Sequence, residues 1–92
     1  MSRQLLWALA AGLVTTGCWG LPVDQSPQCA AYVGCIEAID RAADQTTNLD
    51  RYVVDGACWD NPELGRGCTT SCARALERLQ TREPSLPAEC QP

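Results

Sequence analysis

Ser26-Pro27-Gln28-Cys29-Ala30-Ala31-Tyr32-Val33-Gly34-Cys35-Ile36-Glu37-Ala38-Ile39-Asp40-Arg41-Ala42-Ala43-Asp44 is the stretch that decides the class of this fold. Ser26 is a good N-cap, because its hydroxyl can accept from a backbone N–H of the first turn. Pro27 follows at the first helical position, where its missing N–H does no harm. Cys29, Tyr32, Val33, Ile36, Ile39 and Ala43 recur at three- and four-residue spacing and make one apolar stripe, with Glu37, Arg41 and Asp44 on the other side. The spacing predicts a helix over 27–44. Cys29 and Cys35 flank the stripe, so both can reach a partner packed against it.

A second stripe runs through Cys68, Cys72, Ala75, Leu76 and Leu79, with Arg74, Glu77 and Arg78 on its polar face. Arg78 and Arg82 fall in the last turn, where cations complement the helix dipole, and Pro84 stops the run. The spacing predicts a helix over 67–82. Between the two, Thr46-Thr47-Asn48 is turn-like, and Tyr52 to Trp59 admits either a hairpin on an Asp55-Gly56 type I′ turn or a short helix ended by Gly56. The reading adopted is an irregular loop with at most a two-stranded ribbon. Asn61-Pro62 is a further helix start, which Gly65 and Gly67 are expected to limit to one turn. The tail 84–92 reads as extended and pinned only through Cys90.

The chain has 92 residues, seven of them cysteine, and no histidine, lysine or phenylalanine. So short a domain buries too little to be comfortable on apolar packing alone. Each disulfide contributes about 2–4 kcal/mol in the chain-entropy view, so the staples decide whether it folds. The expected fold is therefore small, disulfide-rich and α, an antiparallel two-helix hairpin held by three disulfides. An antiparallel arrangement sets the start of one helix near the end of the other and favours a nested set: Cys29–Cys90, Cys35–Cys72 and Cys58–Cys68. A second antiparallel option is Cys29–Cys72, Cys35–Cys68 and Cys58–Cys90.

Ahead of this domain, Arg3 precedes an uninterrupted apolar run from Leu5 to Val14, the pattern of a secretory signal and too short for a permanent span of about 20 residues. A buried core helix is the alternative, but no charge occurs between Arg3 and Asp24, whereas charges recur throughout the remainder. Thr15-Thr16-Gly17-Cys18 resembles a bacterial lipobox, although Thr15 stands where Leu, Val or Ile is usual. The resemblance implies cleavage after Gly17 and acylation of Cys18. Cysteine parity agrees, since removing Cys18 leaves six that can pair completely. The expected organisation is a signal over 1–17, a lipid anchor and tether over 18–28, and the cysteine-rich helical domain over 29–92.

Cys-x5-Cys on a helix, then Asp55-Gly56-x-Cys58-Trp59, then Cys68-x3-Cys72 and a lone Cys90 resemble the small cysteine-rich lipoproteins of myxobacterial-type genomes. The arginine-only basic content suits a GC-rich source. These motifs are scaffold, and the resemblance implies no activity. It implies a place in the cell envelope, on the outer membrane or the periplasmic face.

Chemistry is narrowed by what the composition lacks. Without histidine there is no Ser-His-Asp or Cys-His site and no imidazole zinc ligand. Neither cysteine spacing is the Cys-x-x-Cys of redox catalysts. Zinc on Cys58, Cys68, Cys72 and Cys90 lacks the usual short ligand pairs. The oxygen-rich run of Asp55, Asp60, Asn61 and Glu63 lacks the alternation of a calcium loop. The chain is read as no enzyme, with no cofactor and no metal. Removing residues 1–17 takes Arg3 away and brings the formal charge from −4 to −5, which argues against nucleic acid and against attraction to anionic lipid. The expected partners are the membrane, through the acylated N-terminus, and a protein or envelope component met by the loop from Tyr52 to Leu64. Trp59 is the candidate anchor if it is exposed, and a cap on the core if it is not. A soluble secreted inhibitor or toxin-like effector is the alternative function.

Overall fold

A computed structural model describes residues 20–83 and 85–92. Helix α1 spans Pro27–Ala43 and helix α2 spans Pro62–Arg82, joined by the 18-residue connection 44–61 and followed by a tail. Single 3-10 turns lie at Ala57–Trp59 in the connection and at Ala88–Cys90 in the tail. There is no strand among the described residues. The two helices pack against each other and three disulfides staple the assembly, so the small disulfide-rich α class stands as expected.

The start of α1 is as the sequence dictates: the Ser26 hydroxyl accepts from the Cys29 N–H at 3.3 Å, and Pro27 opens the first turn. The helix ends where Asp44 turns left-handed, at φ 54°, and donates its N–H to the Asp40 carbonyl. Helix α2 begins five residues earlier than its expected start at Gly67. Asn61 caps it, its side-chain oxygen accepting from the Leu64 N–H at 2.9 Å. The glycines do not interrupt it. Gly65 is where the helix meets the core most closely: a Cβ there would lie 3.1 Å from the Val23 side chain and 3.6 Å from the Trp59 ring. Packing against the indole thus outweighs the roughly 1 kcal/mol that a helical glycine costs.

The direction of the two helices corrects the sequence reading. Cys29 is bonded to Cys72, their Cα atoms 5.0 Å apart. Further along, Tyr32 and Ile36 share a groove with Ala75, Leu79 and Arg82, and Ile39 and Ala43 share one with Leu79 and Glu83. Residue numbers rise together along both helices, so α1 and α2 run parallel. The connection is what permits this. A helix of 17 residues is about 25 Å long, and 18 residues of open chain reach that far with slack. Only a short loop forces neighbouring helices antiparallel. The chain therefore goes up through α1, down the connection, up through α2 and down the tail.

The disulfides follow from this route. Cys58–Cys68 forms as expected, but the nested pairs Cys29–Cys90 and Cys35–Cys72 do not: the observed bonds are Cys29–Cys72 and Cys35–Cys90. With parallel helices, Cys29 near the start of α1 faces Cys72 at the middle of α2, and the tail comes back down to Cys35. The two long loops cross instead of nesting. The tail is also held by more than its cysteine, since Gln80 donates to the Cys90 carbonyl at 2.7 Å and Arg41 pairs with Glu89 at 3.3 Å.

Candidate functional site

Two places in the molecule concentrate buried or polar chemistry. The first is the core around the disulfides, where Cys29, Cys58, Trp59, Cys68 and Cys72 form one cluster with Val23, Tyr32 and Tyr52 packed against it. Trp59 is 3% exposed. Its indole N–H is shared between the Val53 and Tyr52 carbonyls, at 3.0 and 3.3 Å, so the ring is satisfied as well as buried. The ring is therefore the cap on the core, and the surface-anchor role is corrected. The sulfur of Cys29 lies 3.3 Å from the Cys68 carbonyl; being oxidised it has no proton to donate, and this is a close packing contact.

The turn beside Trp59 explains why the hairpin is absent. A type I′ turn needs positive φ at both central residues. Here Asp55 takes φ 67°, but Gly56 sits at φ −74°. Gly56 is small for a steric reason: a Cβ would lie 2.5 Å from the carbonyl oxygens of both Asp50 and Arg51. The backbone closes on itself there through Gly56 N–H to Val53 and Cys58 N–H to Arg51.

The segment read as a tether is docked from Val23 onward. The Val23 N–H donates to the Trp59 carbonyl at 2.8 Å, and the Gln25 side chain donates to the Tyr52 carbonyl at 2.9 Å. The folded body thus begins about six residues before Cys29. The lipidation candidate Cys18, with the signal and lipobox residues before it, lies outside the described residues.

The second place is Asp40, the one buried charged side chain among the described residues, and the sequence reading missed it. Its carboxylate accepts from the Thr47 N–H at 2.8 Å and from the Thr47 hydroxyl and the Gln45 amide at 3.0 Å each. Burial pushes the carboxyl's pKa up, but the hydrogen bonds from Gln45 and Thr47 more than offset this and hold it below the ordinary aspartate value. The signal was there: an aspartate on the same arc as Val33 and Ile36, followed by a polar Gln45-Thr46-Thr47 run. Glu37, Asp44 and Asp50 line the same groove. At Tyr32, burial and then the like charge of the Tyr52 phenolate raise the hydroxyl pKa against a lowering by the Arg78 guanidinium, and the two tyrosine rings meet edge-on with centroids 5.7 Å apart.

Nothing in this arrangement gathers metal ligands: among the described residues no group of three or more His, Cys, Asp or Glu could hold an ion. Cys58, Cys68, Cys72 and Cys90 all lie in disulfides and present no thiolate. Of the oxygen-rich run, Asn61 is engaged in capping α2 and Asp55 in its left-handed turn. Among the described residues no helix is long and apolar enough to cross a membrane. No protein-family model, curated protein or solved structure matches the chain.

Proposed function

We propose that the chain is a non-enzymatic lipoprotein of the cell envelope, acylated at Cys18, which displays its disulfide-stapled domain at the outer membrane or periplasmic face. The closure of the disulfide set carries this reading. Cys29, Cys35, Cys58, Cys68, Cys72 and Cys90 use one another completely, so the seventh cysteine has no thiol left to pair with inside the chain. That cysteine stands at the end of an apolar run, directly after Gly17. Three disulfides in one small domain also favour an oxidising compartment.

The domain's polar chemistry supports a scaffold more than a catalyst. The two titratable groups with displaced pKa, Asp40 and Tyr32, are engaged in pinning the connection and in the core. A partner meeting the loop from Tyr52 to Leu64 would touch Val54, which is two-thirds exposed, in place of Trp59. Intact mass after expression in a Gram-negative host tests the anchor. The expected species begins at Cys18 and carries acyl chains. A water-soluble chain without acyl mass, cleaved elsewhere, overturns the reading and leaves a secreted disulfide-rich inhibitor or toxin-like effector in its place.

A further inference from the structure

Two of the large apolar side chains left exposed, Leu21 at 57% and Leu64 at 43%, belong to the end of the fold where the chain leads in. Leu21 lies just before Val23, which is bonded to the Trp59 carbonyl and packed beside Gly65. Leu64 neighbours that glycine in the first turns of α2. Because the helices are parallel, both run away from this base: α2 starts here, and α1 starts about two turns further along, where Cys29 meets Cys72. Both end at the far side, where Glu37, Asp40, Asp44 and Asp50 line one groove. Only residues 19–22 separate Cys18 from the docked Val23. Five fully extended steps reach about 17 Å, less than the length of either helix.

We propose that this base rests on the phospholipid surface that holds the acylated Cys18, through Leu21 and Leu64, so that both helices stand away from the bilayer and the acidic groove faces outward. The inference rests on the acylation proposed above. Its partner is a zwitterionic headgroup surface. Leucine side chains supply the contact at the acyl boundary, while Asp24, Asp60 and Glu63 on the nearby backbone disfavour anionic headgroups. The short reach from Cys18 keeps the leucines at the surface.

The chain has no lysine, so one Arg→Lys replacement creates a single reactive side-chain amine. Arg66→Lys reports on the base and Arg82→Lys on the far end; both arginines are exposed and neither forms an ion pair among the described residues. Each acylated variant is inserted into preformed phosphatidylcholine vesicles and treated with a membrane-impermeant amine reagent. Labelling at position 66 should be slowed about tenfold relative to position 82, and adding Leu21→Ser with Leu64→Ser should abolish the difference. Slowing at both positions would mean that the domain lies along the membrane. Slowing at neither would mean that it is held off. Either result overturns the proposal, as does protection at 66 that survives loss of both leucines. Intact mass separates the two failures: without acyl chains the anchor falls and takes this inference with it, whereas acylated protein with no protected base sinks this inference alone.

Discussion

The helical pair and the connection between them hold together in different ways. Helices α1 and α2 are periodic, capped by Ser26 and Asn61, and joined by packed side chains and a disulfide. The connection 44–61 has no periodicity and is fastened at discrete points: Thr47 on Asp40, Tyr52 against Tyr32, and Cys58 on Cys68. Yet the connection supplies Trp59, the largest side chain of the core cluster, and by running back along α1 it sets the helices parallel. Periodicity identifies the elements, and the aperiodic segment decides how they are arranged.

The largest effects should come from the crossed staples. In the chain-entropy view the Cys35–Cys90 and Cys29–Cys72 loops, of 55 and 43 residues, are each worth about 4 kcal/mol, and the ten-residue Cys58–Cys68 loop nearer 3 kcal/mol. Replacing each pair by alanine and measuring denaturant unfolding should reproduce that order. A Cys58–Cys68 deletion that costs most would place the decisive constraint in the connection. Trp59→Ala comes close behind, at about 3–5 kcal/mol for a large buried side chain. If the ring were dispensable, the loss in the same unfolding experiment would stay near that of a surface change.

Gly56→Ala should cost about 1–3 kcal/mol, because the new methyl meets two backbone oxygens that cannot move without opening the turn. Asp40 is a pH-dependent fastening of the connection to α1. Its folded pKa is depressed, so its contribution is present above the unfolded aspartate value, near pH 4, and is lost as pH falls through the lower folded value. Thermal melts from pH 6 to pH 2 should show a fall over that range that is smaller in Asp40→Asn, whose stability at pH 6 is already reduced. Equal slopes in the two proteins would remove Asp40 from the account. At the small end, Arg74→Ala on the exposed face of α2 should shift stability by no more than about 0.5 kcal/mol.

Much of this was legible in the residues. Ser26-Pro27 and the apolar stripe place α1 almost to its last residue, and the cysteine count calls for three staples. What was not legible depends on contacts between segments distant in sequence. Gly65 reads as a helix breaker until Trp59 is seen packed against it. Asp55-Gly56 reads as a hairpin turn until the approach of the Asp50 and Arg51 carbonyls explains the glycine. Asp40 falls on the apolar arc of α1, and only the return of Thr47 and Gln45 shows how its carboxylate is satisfied there. Helix direction carries no periodic signal at all. The length of the connection was the available clue, since it is long enough to allow either sense.

The most direct test of the parallel, crossed arrangement is disulfide-resolved peptide mapping of the unreduced protein. Cleavage after Tyr32 separates Cys29 from Cys35, cleavage after Arg41 and Arg51 separates Cys35 from Cys58, and cleavage after Arg66, Arg74 and Arg82 separates Cys58, the Cys68–Cys72 segment and Cys90. The observed bonds predict one three-peptide species joining the Cys29 and Cys58 peptides through Gly67–Arg74, and a separate pair of the Cys35 and Cys90 peptides. A Cys29 peptide linked to the Cys90 peptide, with Cys35 in the three-peptide species, would restore the nested antiparallel hairpin and contradict the account.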